Sequence, residues 1–170
     1  LEEGSYEGYA AGGIAVIVKV LTDNKNRSAA AVRHAFSKAD ANLAEQGAVS
    51  RMFQRKGQIF VDKSEVEEDK LMEIILDAGA EDMKSHNDQY EVLTNPADFD
   101  LISDTISQSN IRLNDSDITF IPDVVSEVDD LDQAKKILNF IEALEELDDV
   151  QNVYSNFDIS DAILKKIEED

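Results

Sequence analysis

The chain has 170 residues, 42% of them hydrophobic, which is enough to bury a core in one large or two small domains. No apolar run approaches the roughly 20 residues of a membrane-spanning helix, so we expect no membrane contact. The absence of cysteine excludes disulfides and cysteine-ligated zinc and favours a cytoplasmic location, and the formal net charge of −21 argues against a nucleic-acid-binding surface spread over the whole chain.

The first third of the sequence alternates between strand-like and helix-like patterns. The predicted elements are, in order, a glycine-rich lead-in (1–13), a strand (Ile14–Leu21), a polar turn (Thr22–Arg27), a helix (Ser28–Leu43) and a hairpin of two strands (48–54 and 58–62). The strand is short and rich in β-branched residues, Ser28 suits a helix N-cap, and Arg55, Lys56 and Gly57 suit the hairpin turn.

The rest of the sequence adds three helices with clear boundaries and a fourth at the C-terminus. The predicted elements are a helix with a capping box at Ser64–Glu67 and an end at Gly79, strands at 81–85 and 89–94, a helix capped by Asn95, a strand at 111–121, a linker at 122–130, a helix at 131–147, a strand at 150–157 and a terminal helix at 160–170. Apolar residues recur most clearly at helical spacing in 131–147.

The order of these elements predicts an α+β protein with two ferredoxin-like α/β sandwich domains, the second inserted in the first. Residues 1–62 plus 123–170 together give the order β-α-β-β-α-β, which is the split motif of ferredoxin-like folds. Residues 63–122 then form the inserted α+β domain. The alternative is two consecutive domains, which would leave residues 1–62 with only one helix to cover their sheet.

A polar and basic element at the start of the predicted helix is the strongest candidate for a binding site. Residues 1–62 carry eight Lys/Arg against seven Asp/Glu, whereas residues 63–170 carry eight against thirty, so a contact with phosphates is expected in the first third. Helix N-termini attract anions through their free N–H groups. The candidate nucleic-acid-binding residues are Asn24, Asn26, Arg27, Arg33, His34 and Lys38. The alternative is a capped helix behind a solvated polar loop.

No motif in the sequence demands catalysis, so we expect a binding protein that is not an enzyme. The glycine-rich lead-in precedes a strand and has Ile14 where a phosphate-binding loop needs lysine. His34 and His86 are 52 residues apart without a matched partner, which is typical of surface or capping histidines. No cofactor and no metal ion are expected, and the acidic remainder is typical of a solvated face.

Several strings of residues resemble the YebC/PmpR family over nearly the whole chain. They are Tyr6–Tyr9 with Gly12–Gly13 and Ile14–Val18, the loop Leu21–Arg27, the helix Val32–Lys38, the turn Ala78–Asp82, and the closing segment Leu144–Tyr154 with Asn156 and Phe157. The resemblance implies two α+β domains that follow a basic helical N-terminal domain, and this chain starts at the second domain. It adds no catalytic residue.

The resemblance also implies a role in gene expression, with two partners left open. One is transcriptional regulation through binding of DNA, and the other is translation, through ribosomal RNA or tRNA, as for the family's mitochondrial translational activators. A third interpretation, based on charge, is an interaction module whose acidic surface binds basic ribosomal or polymerase proteins.

Overall fold

The computed structural model describes Leu1–Glu169 and divides the chain into two compact units. The first unit combines Leu1–Phe53 with Pro122–Asp170, and the second is Gln54–Ile121. Each unit pairs helices with a four-stranded sheet, so the predicted α+β fold class is confirmed. The two segments of the first unit flank the second in the sequence, and the first boundary lies nine residues earlier than the one expected after residue 62.

The first unit builds one sheet, a small second sheet and three helices. Its elements are β1 (Glu2–Ala10), β2 (Ile14–Thr22), α1 (Lys25–Lys38), β3 (Asn42–Ala44), β8 (Ser126–Val128), α4 (Leu131–Glu145), β9 (Val150–Ser155), β10 (Phe157–Ile159) and α5 (Asp161–Glu169). The large sheet has the order β3-β1-β2-β9 and is antiparallel throughout, and β8 pairs with β10 in parallel.

One face of this sheet packs against α1 and α4. Val16, Val18 and Val20 alternate along β2 toward that face, as the two-residue period of a strand requires. They meet apolar residues of both helices, among which the Phe36 and Phe140 rings form an edge-to-face pair with centroids 4.8 Å apart. Such aromatic pairs add to the stabilisation from buried area and hold α1 against α4.

Glu7 is a carboxylate buried to 3% exposure in the strand that pairs with β2. Its two oxygens accept hydrogen bonds from the backbone N–H groups of Gly47, Val49 and Ser50 at 2.8, 2.8 and 2.6 Å. Burial, the largest influence, raises the pKa of the Glu7 carboxyl, but the bonds from Gly47, Ser50 and Val49 together outweigh it, so the pKa lies below its ordinary value. The charged carboxylate therefore fixes the loop that follows β3.

The second unit has the ferredoxin-like order that the sequence analysis assigned to the first domain. Its elements are β4 (Phe53–Asp62), α2 (Glu68–Ala78), β5 (Asp82–Ser85), β6 (Gln89–Thr94), α3 (Phe99–Gln108) and β7 (Ser116–Pro122). The order β-α-β-β-α-β with the sheet order β5-β6-β4-β7 is that of the split motif. Ile59 and Val61 of β4 pack here with Leu71 and Ile75 of α2, which is why β4 belongs to this unit.

Two further elements of the first third differ from the prediction. The lead-in at 1–13 is mostly strand β1, and Gly8 serves close packing, because a Cβ there would lie 2.4 Å from the Asn42 carbonyl oxygen. The hairpin predicted around residues 55–57 is instead one continuous strand. Gly57 is needed in its middle, since a Cβ there would lie 2.1 Å from Thr94 Oγ1.

Two predicted helix caps are present and two are not. Gly79 ends α2 with φ +93°, and Asn95 accepts a hydrogen bond from the Ala97 N–H at 3.0 Å, where it caps a one-turn 3-10 helix (Pro96–Asp98) directly before α3. Ser64, however, lies in a turn before α2, and Ser28 lies inside α1 rather than at its start. No helix within Leu1–Glu169 is long and apolar enough to cross a membrane.

We expect the substitution Glu7→Gln to lower the free energy of unfolding by about 2–3 kcal/mol, because an amide offers one acceptor oxygen and leaves buried N–H donors unpaired. Urea titration of the parent and the variant at pH 7 measures this difference. Since the folded pKa of Glu7 is lowered, its contribution is present above the unfolded value near 4.5 and is lost as the pH falls through the folded pKa.

The matched control is Glu3→Gln, which removes the same charge from an exposed position of the same strand. An equal effect of the two substitutions would contradict a specific role for the Glu7 carboxylate.

Candidate nucleic-acid interface

Helix α1 begins at the polar loop that the sequence analysis singled out, and Asn24 is its N-cap. The Asn24 side-chain oxygen accepts a hydrogen bond from the Arg27 N–H at 3.1 Å, and the Asn24 N–H donates to Thr22 Oγ1 at 2.9 Å. An Asn at this position satisfies one of the free N–H groups of the first turn. Asn24 is therefore used by the helix itself.

The Arg27 side chain is held by two carboxylates of the same unit. Its guanidinium donates to both oxygens of Asp149, with Nη2–Oδ1 at 2.9 Å and Nε–Oδ2 at 3.2 Å, and to Asp23 Oδ1 at 2.7 Å. A bidentate pair of this kind is both strong and directional. The charge of Arg27 is thus compensated locally although half of its side chain is exposed.

Asp149 accepts hydrogen bonds from three side chains at the connection between β2 and α1. Besides Arg27, the hydroxyls of Ser28 and Thr22 donate to Asp149 Oδ2 at 2.5 and 3.1 Å. The Arg27 guanidinium first, and then the Ser28 hydroxyl, hold the pKa of Asp149 below its ordinary value. The carboxylate takes up the hydrogen bonds that a bound phosphate would receive at this loop, and sequence reasoning missed it because it lies 122 residues from Arg27.

The remaining four candidate residues share the solvent-facing side of α1. Asn26, Arg33, His34 and Lys38 are all exposed, and at 100° per residue they fall within an arc of about 140° that is opposite the buried Val32, Ala35 and Phe36. Helix α1 has four Lys/Arg and no acid. The candidate set therefore splits into two residues engaged at the helix start and four that face solvent.

Free positive charge on this helix is concentrated toward its C-terminal half. Lys25 pairs with Glu2 at 2.8 Å and Arg27 with Asp149, whereas no ion pair within Leu1–Glu169 involves Arg33 or Lys38. Asn26 precedes Lys38 by twelve residues, so the four side chains span about 18 Å of helix length at 1.5 Å per residue. We define Asn26, Arg33, His34 and Lys38 as the basic face of α1.

Three other basic or histidine side chains make polar contacts within their own units. Arg51 donates to the Gly47 carbonyl at 2.6 Å, Lys56 pairs with Glu81, and His86 Nε2 lies 2.9 Å from Glu91 Oε1. Among the described residues no group of three His, Asp or Glu side chains has the arrangement of a metal site.

The family comparison agrees with the resemblance found in the sequence. Residues 1–157 match the family model described as the TACO1/YebC second and third domain. The chain belongs to the TACO1/YebC family. Residues 1–157 include the whole of the second unit and most of the first, and they contain α1 with its basic face and Asp149.

Named relatives and one solved structure extend this result. A probable transcriptional regulatory protein of Natranaerobius thermophilus is 46% identical over 167 residues, covering 96% of this chain and 66% of the relative. A relative of the same name from Corynebacterium diphtheriae is 47% identical, and the match covers 96% of this chain and 65% of the relative. The crystal structure of a conserved hypothetical protein from Aquifex aeolicus matches with a TM-score of 0.81 at 39% identity, covering 94% of this chain and 66% of that one.

The chain thus spans slightly less than two thirds of the length of these proteins. Both relatives carry the name probable transcriptional regulatory protein.

We expect Asp149→Asn to lower the urea midpoint, because the uncharged amide cannot compensate Arg27. The folded pKa of Asp149 is depressed, so the difference between parent and variant is fully present above the unfolded value near 3.9 and disappears as the pH falls through the folded pKa. Urea titrations at pH 7 and at successively lower pH values measure it.

Asp148→Asn is the matched control, since it removes the same charge at the neighbouring exposed position. A double-mutant cycle with Arg27→Ala isolates the pair, and additive effects in that cycle would contradict the coupling of Arg27 to Asp149.

Proposed function

We propose that this chain is a nucleic-acid-binding part of a regulator of gene expression, and that it binds the phosphate backbone with the basic face of α1. The observation that carries the proposal is that Arg33 and Lys38 are exposed and have no ion-pair partner within Leu1–Glu169. Phosphate contacts supply most of the sequence-independent affinity of such proteins. The names of the relatives support the regulatory role.

The charge of the rest of the chain restricts where a polyanion can bind. The second unit has six Lys/Arg against sixteen Asp/Glu, and the first has ten against twenty-one. Because this surplus of acidic residues repels phosphates, the area in contact with nucleic acid is small. We therefore infer a weak affinity that falls steeply as the salt concentration rises. The chain acts by binding, without catalysis, in this proposal.

DNA and ribosomal RNA are the two nucleic acids that the proposal has to separate. The name "probable transcriptional regulatory protein" of the relatives favours DNA. Phosphate contacts alone do not separate the two, because they carry no base information. A sequence-selective duplex target would identify a transcriptional regulator, whereas salt-dependent association with ribosomes and only non-specific DNA binding would identify a translation factor.

A second candidate function rests on the acidic surface itself. Sixteen acids on a unit of 68 residues form a surface complementary to basic proteins, such as ribosomal or polymerase proteins. In this case nucleic acid is not bound by this chain, and charge reversal on α1 leaves the association unchanged.

We expect the double substitution R33E/K38E to weaken binding of a labelled RNA or DNA by at least about tenfold at 0.1 M salt, because two contacts of about 1 kcal/mol become repulsive. The slope of log K against log salt should fall in magnitude by about 2 for a duplex. Fluorescence anisotropy at several salt concentrations measures both quantities for a ribosomal RNA fragment and a DNA duplex.

The matched control is K165E/K166E, which makes the same charge change on exposed positions of α5 in the same unit. If both variants lost the same affinity, the effect would be one of net charge alone, and a role for the basic face would be refuted. Unchanged ribosome association of R33E/K38E, together with loss on neutralising the acids of the second unit, would establish the interaction module instead.

A further inference from the structure

A groove of about 660 Å³ lies between α1 and α4, next to the basic face. Its volume falls in the range of roughly 300–1,000 Å³ that is usual for small-molecule sites. The groove is lined by the end of α1, the middle of α4 and the turn between β1 and β2, through Ala11, Ala35, Lys38, Ala39, Asp40, Lys136, Asn139, Phe140 and Ala143.

The inner surface of the groove is apolar and rigid. Ala35 and Phe140 are 8% and 2% exposed, and the Phe140 ring is fixed by its edge-to-face contact with Phe36. Ala39 and Ala143 line the groove with small methyl groups, which leave its volume open.

The wall formed by the β1–β2 turn is held in place by α4. Gln133 Nε2 donates to the Ala11 carbonyl at 3.2 Å, and Gly12 has φ +78°. The positive φ favours glycine at position 12, and a Cβ there would lie 1.9 Å from Gln133 Nε2, so a larger residue would also displace this side chain. This contact gives the groove a fixed end.

The polar side chains of the groove favour an anionic ligand with hydrogen-bonding edges. Lys38 and Lys136 lie on different helices, and neither has an ion-pair partner within Leu1–Glu169. Asn139 offers both a donor and an acceptor, and Asp40 offers acceptors only. Lys38 belongs both to the groove and to the basic face of α1. A nucleic-acid strand bound along the basic face therefore leads directly into the groove.

We propose that the groove receives one unpaired nucleotide of a single-stranded nucleic acid. This proposal rests on the proposed function and deepens it. The base lies against the alanine methyl groups, the phosphates on either side contact Lys38 and Lys136, and Asn139 and Asp40 face the base edge. A base in a duplex is stacked and paired on that edge, so the groove selects single strands over duplexes.

Filling the groove tests this proposal. Ala143 is exposed on α4, and Ala143→Leu places a larger helix-favouring side chain in the groove without touching the core. We expect this variant to bind a labelled single-stranded RNA 12-mer about tenfold more weakly in an anisotropy titration, as expected for the loss of one base contact. Binding of the corresponding duplex should stay within about twofold.

Two further variants make the result specific. Ala162→Leu introduces the same side chain at an exposed position of α5 and should change neither affinity. Lys136→Gln removes the positive charge, keeps a polar helix-compatible side chain and should weaken single-strand binding more than duplex binding. It tests the site independently if Ala143→Leu alters the fold.

Two results overturn the groove proposal, and they differ in what they say of the proposed function. If Ala143→Leu and Lys136→Gln bind the single strand as the parent does, while R33E/K38E still weakens binding, the groove proposal is wrong and the basic face stands. If the parent binds neither the single strand nor the duplex at low salt, both proposals fail together.

Discussion

Asp149 lies at the junction between the end of α4 and the start of β9, and the segment that opens α1 is built around it. Its carboxylate accepts from Arg27, Ser28 and Thr22, and its backbone oxygen accepts from the Leu21 N–H at 2.9 Å. One residue thereby connects β2, the loop and the first turn of α1 to the segment between α4 and β9. The orientation of α1, and with it the direction in which its basic face points, depends on this set of contacts.

The same contacts decide which charges remain for a partner. A chain of net charge −21 attracts a polyanion only where bases are both exposed and uncompensated. Asp149 and Asp23 compensate the charge of Arg27, and Glu2 compensates that of Lys25. The first half of α1 therefore presents almost no net charge to a binding partner. Arg33 and Lys38 lie beyond the reach of these acids. The electrostatic attraction therefore shifts from the helix N-terminus to the C-terminal half of α1, where the groove begins.

Local sequence signals predict local structure well in this chain, whereas contacts between segments that are distant in the sequence are not predicted. The α4 helix, the C-cap at Gly79 and the N-cap at Asn95 follow from spacing and residue type alone, and the structure has all three. Gly8 and Gly57 look like turn residues in the sequence, but both sit within strands because another segment approaches too closely for a Cβ. That error hid β1, broke β4 into a hairpin and moved the ferredoxin-like order to the wrong unit.

The candidate site shows the same division. Helical spacing puts Arg33, His34 and Lys38 away from the apolar stripe, and all three are exposed. Nothing near Arg27 in the sequence indicates that an acid 122 residues away reaches its guanidinium. A basic loop at a helix N-terminus is compatible both with a phosphate site and with an internal ion pair, since the same donors serve either anion. In this protein an internal carboxylate accepts from those donors, which makes the loop a support for α1 and leaves the uncompensated basic side chains further along the helix.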